Sequence, residues 1–255
     1  MSVSKIKATV FSQEQLASDV FSMWLEVGNM ASEAKPGQFI SVYSNDDSKL
    51  LPRPISICEI DKENGSLRIV YRVVGYGTKE FSGCKAGDTL EIMGPLGNGY
   101  TLKKNKAILV AGGIGVPPLF GAARQCGKNA TVAVGFRNKN FVILEDDFRA
   151  AGCDLRIATD DGSYGHHGLV IDLIQDVHPD KIFACGPKVM LRAVTEFAKA
   201  HNIPCEISLE ERMACGIGAC LGCAVELYDE NGETYMGHVC KDGPVFDAKE
   251  VCLRG

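Results

Sequence analysis

Residues 107–118 read AILVAGGIGVPP, and this run decides how the chain is divided. Residues 107–110 are apolar without alternation, the pattern of a strand buried on both faces. Gly112, Gly113 and Gly115 then permit a tight turn, and proline is tolerated in the first turn of the helix that follows. The pattern is not G-x-G-x-x-G, because Pro118 stands where the last glycine would be. The mechanics are the same: glycines let a pyrophosphate approach the backbone, and the helix start faces it. A tight strand-to-helix turn without a ligand is the plainer alternative, and the run alone leaves both open.

Downstream the same rhythm continues. ATVAVGF, DLRIATDD and KIFACGP are further buried-strand candidates, with helices expected over Pro117–Cys126 and Lys188–Ala200. Strands alternating with helices indicate a parallel α/β domain, placed at residues 103–205. In KIFACGP, Cys185 and Gly186 fall at the carboxyl end of a strand, where open α/β sheets bind ligands. No base is placed beside Cys185, so it is not read as a nucleophile. His166 and His167, in DDGSYGHHG, read as exposed residues of a glycine-rich loop. Arg137 and Lys139 follow ATVAVGF, where they could meet an adenosine ribose or simply be surface charge.

Upstream, IKATVFSQ, VFSMWLEVG, GQFISVYS, SLRIVYRVVG and DTLEIMGP mix β-branched and aromatic residues with partial alternation. Turn signals at residues 35–37, 63–65 and 86–88 separate them. Residues 1–102 are therefore expected to form a small antiparallel barrel, with one helix just after Gly75 and a polar link near residues 102–106. Two motifs here could carry chemistry. In Arg53-Pro54-Ile55-Ser56, placed at a strand end, the arginine offers a fork of donors to a diphosphate and the serine a hydroxyl to a flavin ring. A surface turn is the bland reading. In the second, Gly77 and Thr78 open the helix, and Tyr71 or Tyr76 could pack on a ring system or simply be packing residues.

Residues 206–255 form a third, loop-rich module. Cys215, Cys220, Cys223 and Cys240 read C-x4-C-x2-C, then sixteen residues, then C. That is the plant-type spacing for a two-iron cluster, and the glycines between the thiols can bring amides to a negatively charged group. Zinc usually takes two short C-x2-C knuckles and only one is present. Zinc, disulfides and free thiols stay as alternatives. A hairpin is expected over residues 223–240, turning at residues 230–232.

Composition bounds the function. The net charge of −5 argues against nucleic-acid binding. Eleven cysteines cannot all pair, and most of the seven outside the motif read as buried thiols in a reducing cytoplasm. The N-terminus carries no apolar run of a signal peptide, and no stretch is long enough to span a membrane.

Taken in order, RPIS, YRVVGYGT, AGGIGVPP, TDDGSYG and CGP resemble the ferredoxin–NADP reductase superfamily. ERMACGIGACLGCAVE with GHVCKDGPVF resembles, more narrowly, the electron-transfer subunits of class 1B (NAD-dependent) dihydroorotate dehydrogenases. The resemblance implies FAD in the barrel, NAD at the α/β domain and a [2Fe-2S] cluster on Cys215, Cys220, Cys223 and Cys240. It implies that Arg53, Pro54, Ile55, Ser56, Val70, Tyr71, Arg72, Gly77 and Thr78 contact FAD. It further implies an FMN-containing catalytic subunit as partner, in a heterotetramer of two subunits of each kind serving pyrimidine synthesis. No side chain of this chain need be catalytic. The flavin–cluster subunit of an NAD(P)H–ferredoxin reductase or hydrogenase would share these motifs, and a zinc-holding regulatory module is the alternative of another class.

Overall fold

The computed structural model describes residues 4–103 and 106–253; two of the five residues of the expected polar link lie outside them. Six strands close an antiparallel barrel: β1 (Ser4–Ala17), β2 (Val20–Glu26), β3 (Phe39–Val42), β4 (Arg53–Asp61), β5 (Ser66–Arg72) and β6 (Thr89–Leu96), in the order β1-β2-β5-β4-β3-β6. Helix α1 (Met30–Glu33) lies between β2 and β3, and α2 (Tyr76–Phe81) between β5 and β6. Gly37, Gly65 and Gly87 all take positive φ at the expected turns, where a side chain would be strained. Strand β4 was not among the sequence candidates. Its Arg-Pro start lacks alternation, and so RPIS opens a strand instead of ending one.

Alternation along β5 sets the architecture. Leu67, Ile69 and Tyr71 point into the barrel with Met23, Ile40 and Ile92. Val70, one step out of phase, packs instead with Leu119 and Phe120 of the next domain.

That domain is a seven-stranded sheet. Its strands are β7 (Ala107–Gly112), β8 (Ala130–Phe136), β9 (Asp154–Thr159), β10 (His166–His167), β11 (Lys181–Cys185) and β12 (Cys205–Ser208), with β15 (Val245–Asp247) at the edge. All neighbours run parallel except β12 and β15. Helices α3 (Pro117–Cys126) and α4 (Glu145–Ala150) cover one face, and α5 (Lys188–Ala200) the other. Residues of β7 divide accordingly: Leu109 and Ala111 join the α3 side, Ile108 and Val110 the α5 side. This two-sided burial is the reason its sequence shows no alternation.

The C-terminal hairpin pairs β13 (Ala224–Tyr228) with β14 (Thr234–His238), and the turn between them carries Gly232 at φ 79°. The module does not stand apart from the sheet. A division after residue 205 passes through β12, and β15 returns from the cluster segment to close the sheet edge. Cys223, Leu227, Val239 and Cys240 share one core with Ile207 and Phe246, and with Phe39 and Leu96 of the barrel.

Candidate functional site

Three sites follow from this arrangement. On the barrel, Arg53 and Gly77 are neighbours: a Cβ on Gly77 would overlap the Arg53 guanidinium, so only glycine leaves the arginine its place. Arg53 and Ser56 are half-buried and Pro54 is exposed, whereas Ile55 points into the barrel core. Tyr71 does not present its ring. It is 3 % exposed, and its hydroxyl donates to Gln13 Oε1 at 2.8 Å. Burial, then the nearby Cys84, push its phenol up. The Thr78 hydroxyl accepts from the amides of Val74 and Gly75 and donates to the Gly75 carbonyl, so it holds its own helix start. Ile55, Val70, Tyr71 and Thr78 thus have their side chains in cores or in their own helix start, whereas Arg53, Ser56 and Arg72 are half-buried. Tyr76 is exposed, with Lys49 Nζ 4.8 Å from its ring centre.

The second site is a cavity of about 640 Å³ at the carboxyl ends of the parallel strands. The glycine turn and the CGP turn cross at its floor: a Cβ on Gly115 would sit 2.5 Å from the Cys185 carbonyl oxygen. Gly112 is closed by Met190 and Pro187, and Gly186 by Met190 and the Gly112 amide. Gly113, at φ 55°, has open space above it, the approach a pyrophosphate needs. Cys185 is buried, and burial, then Glu210, push its thiol up, which favours the neutral thiol. Arg137 lines the cavity but Lys139 does not; its Nζ lies over the Tyr164 ring. Both expected histidines are exposed, and His166 meets Asp172 at 3.4 Å. Sequence reading missed Glu210, Met190 and Asp19, which also line this cavity; Arg72, expected at the flavin, lines it too and pairs with Asp19. Glu210 could have been found from its position just past the carboxyl end of β12; Met190 and Asp19 gave no local signal.

The cluster loop is the third site. Amides of Ile217, Ala219 and Cys220 donate to Cys215 Sγ, that of Gly218 to Cys240 Sγ at 3.1 Å, and that of Cys240 to Cys223 Sγ. Burial alone would raise the Cys215 thiol; the Ile217 and Cys220 amides, the Cys220 side chain and the Ala219 amide overcome it and bring it down to about 6. Burial and the adjoining Cys223 push Cys240 up to about 12. Among the described residues no three His, Cys, Asp or Glu gather closely enough to hold one metal ion. The sulfurs instead fall as two pairs, Cys215 with Cys220 and Cys223 with Cys240. A mononuclear zinc site wants four ligands about one point, whereas a [2Fe-2S] cluster spreads four thiolates over two irons. The donor set and its amide shell fit the two-iron group.

The loop also touches the barrel. A Cβ on Gly216, at φ 71°, would lie 2.9 Å from Ser41 Oγ, and Ser41 pairs across β3–β4 with Pro54.

A flavin-type barrel, a nucleotide-type α/β domain and a four-thiol loop pressed together define a reductase that joins a dinucleotide to an iron–sulfur centre. The comparisons agree. Residues 7–100 match the oxidoreductase FAD-binding domain, and residues 210–252 match the iron-sulfur cluster binding domain of dihydroorotate dehydrogenase B. The chain is 45% identical over 255 residues to the dihydroorotate dehydrogenase B (NAD(+)) electron transfer subunit of Streptococcus thermophilus, covering 96% of this chain and 97% of that one. It is 42% identical to the same subunit of Bacillus caldolyticus, covering 98% and 100%. The structure of an NADH-dependent reduced ferredoxin-NADP oxidoreductase superposes with a TM-score of 0.85 at 30% identity, over 96% of this chain and 90% of that one. Phthalate dioxygenase reductase shares the fold at TM-score 0.61 and 18% identity, over 92% and 77%. The chain belongs to the family of dihydroorotate dehydrogenase B (NAD(+)) electron transfer subunits.

Proposed function

We propose that this chain carries electrons from an FMN-containing catalytic subunit, which oxidises dihydroorotate to orotate, to NAD⁺ in pyrimidine synthesis. When bound, FAD exchanges electron pairs with a nicotinamide and single electrons with a [2Fe-2S] cluster, so it belongs between them. In this reading Arg53, Pro54, Ile55 and Ser56, with Val70, Tyr71, Arg72, Gly77 and Thr78, hold FAD within a barrel domain of residues 1–102. Gly112, Gly113, Gly115, Cys185 and Gly186 receive the dinucleotide in a domain of residues 103–205. Cys215, Cys220, Cys223 and Cys240 ligate the cluster in the remaining module. The residues bind, orient and exclude water; none needs to act as acid or base.

The observation that carries the reading is the contact between Gly216 and Ser41. It sets the thiol loop against the strand paired with RPIS, while Arg72 at the end of β5 borders the glycine cavity. Cys220 is exposed, with Ile217 and Leu221 beside it, which suits close approach of a redox partner. Two such chains and two catalytic subunits would make the heterotetramer, at home in the cytoplasm; no helix among the described residues is long and apolar enough to cross a membrane.

The test mixes the purified chain with a dihydroorotate dehydrogenase B catalytic subunit and follows dihydroorotate-dependent NADH formation. Coupled turnover and a complex of four subunits are expected. Failure with a cognate, FMN-loaded partner would point to a ferredoxin as the partner instead, the reading that the 30% identical neighbour favours.

A further inference from the structure

Arg68 belongs to no motif, yet it is a guanidinium only 5 % exposed. It sits on β5 in phase with Val70 and Arg72, on the face turned to the nucleotide domain. Its Nε donates to Ser22 Oγ at 2.8 Å, and its Nη2 meets Glu14 at 3.2 Å. Its Nη1 pairs with Asp147 of α4 and lies 3.6 Å from Glu59 of β4. Glu59 in turn pairs with Arg124 of α3. Five charged groups thus alternate in sign across the seam, three on the barrel and two on the helices.

Those helices are continuous with the nucleotide cavity. Helix α3 opens directly from the glycine turn, and α4 follows β8 through Arg137 and Phe141, which line the cavity. Of the barrel members, Glu59 lies on the strand that begins with RPIS, Arg68 on the one that ends with Val70-Tyr71-Arg72, and Glu14 on β1. Beside the network the seam holds a cavity of about 520 Å³ bordered by Glu14, Arg68 and Asp147; the packing of Val20 and Val70 with Leu119 and Phe120 continues it, so the seam is apolar only in part. Domains joined by such interfaces move unless something specific holds them. A buried ion network is costly to desolvate, and its return is geometric: the charges pair in one arrangement and oppose others.

We propose that Arg68 is a positioning residue for hydride transfer, holding the nucleotide domain through Asp147, and through Glu59 and Arg124, at the angle where the glycine cavity faces the flavin strands. The proposal rests on the functional reading above. Hydride transfer is steep in distance, and misplacement by about 1 Å can cost on the order of a hundredfold.

The experiment compares Asp147→Asn, Arg68→Lys and, as a control on an exposed pair of the same helix, Arg149→Gln, each loaded with FAD and cluster. It measures flavin content, melting temperature, affinity for ADP-ribose, the rate of flavin reduction at saturating NADH, and the long-wavelength charge-transfer absorbance of the flavin–nicotinamide complex. Asp147→Asn is expected to slow reduction about tenfold or more and weaken the band, with flavin content and ADP-ribose affinity unchanged. Arg68→Lys keeps the charge without the fork and should fall between it and wild type. Arg149→Gln should match wild type. If Asp147→Asn and Arg68→Lys melt earlier but keep the wild-type rate and band, Arg68 is structural only and the proposal is overturned. If wild-type flavin is not reduced by NADH, the functional reading falls first and the positioning role falls with it.

Discussion

The cluster loop and the flavin–nucleotide sites bind their groups in opposite ways. In the loop, on the proposed ligand set, side chains do the binding: four thiols lie in two pairs, and backbone amides support them from outside. On the proposed assignment the backbone does most of it at the barrel and cavity, beside Arg53, Ser56 and Arg72, and the other side chains chiefly shape the space. Ile55, Tyr71 and Cys185 are buried in cores, and the Thr78 hydroxyl is committed to its own helix. Side-chain changes should therefore remove the cluster outright, yet disturb flavin and nucleotide mainly where they alter space.

The largest contrast comes from Cys220→Ser. Loss of the two-iron signal and at least a hundredfold loss of electron delivery to the catalytic subunit are expected, while NADH oxidation with an artificial acceptor survives; a ligand removed from a metal centre is not replaced by packing. Absorbance, iron analysis and coupled assays check it. Next is Gly115→Ala, whose methyl group meets the Cys185 carbonyl oxygen at 2.5 Å. Nucleotide-driven flavin reduction should fall about tenfold or more, with the cluster signal intact, as stopped-flow absorbance would show.

Gly77→Ala displaces the Arg53 guanidinium, and weakening one charge-assisted contact should lower FAD affinity by about tenfold. Flavin release on dilution measures it. Tyr71→Phe sharpens the comparison from the other side. It removes the hydrogen bond to Gln13, costing about 1 kcal/mol and a few degrees of melting temperature, but flavin content should not change. A Tyr71→Phe protein that folds and lacks FAD would show that the hydroxyl, and not the strand backbone, makes the contact.

The smallest effect concerns Glu210, which opens onto the cavity but whose carboxyl is pushed up by burial. A raised carboxylate favours the proton in the native state, so this group costs stability at neutral pH; the cost fades as pH falls through the raised native value and is gone below the ordinary value of about 4.5. Glu210→Gln should raise the melting temperature slightly at pH 8 and not at pH 4.

Much of this was legible in the sequence, for identifiable reasons. Residues 107–112 announce a strand covered on both faces because both of their faces are apolar, and Pro117–Cys126 and Lys188–Ala200 fall on their helices. The cysteine spacing named its module because covalent ligand sets fix sequence distance. Strand β4 was hidden by its Arg-Pro opening. The inward place of the Tyr71 ring was not legible because inward and outward positions on a closed barrel depend on register, which composition does not show. The joining of β12 to β15, and the Arg68 network, arise from residues far apart in the chain, which leave no local pattern.

The central claim is that the thiol loop and the flavin strands form one electron path within this chain. Electron paramagnetic resonance of anaerobic protein reduced with NADH tests it directly. The account expects a [2Fe-2S] signal to grow after the flavin absorbance bleaches, and to be absent from Cys220→Ser although its flavin still bleaches. Full flavin bleaching with no iron–sulfur signal in wild type holding stoichiometric iron and sulfide would contradict it.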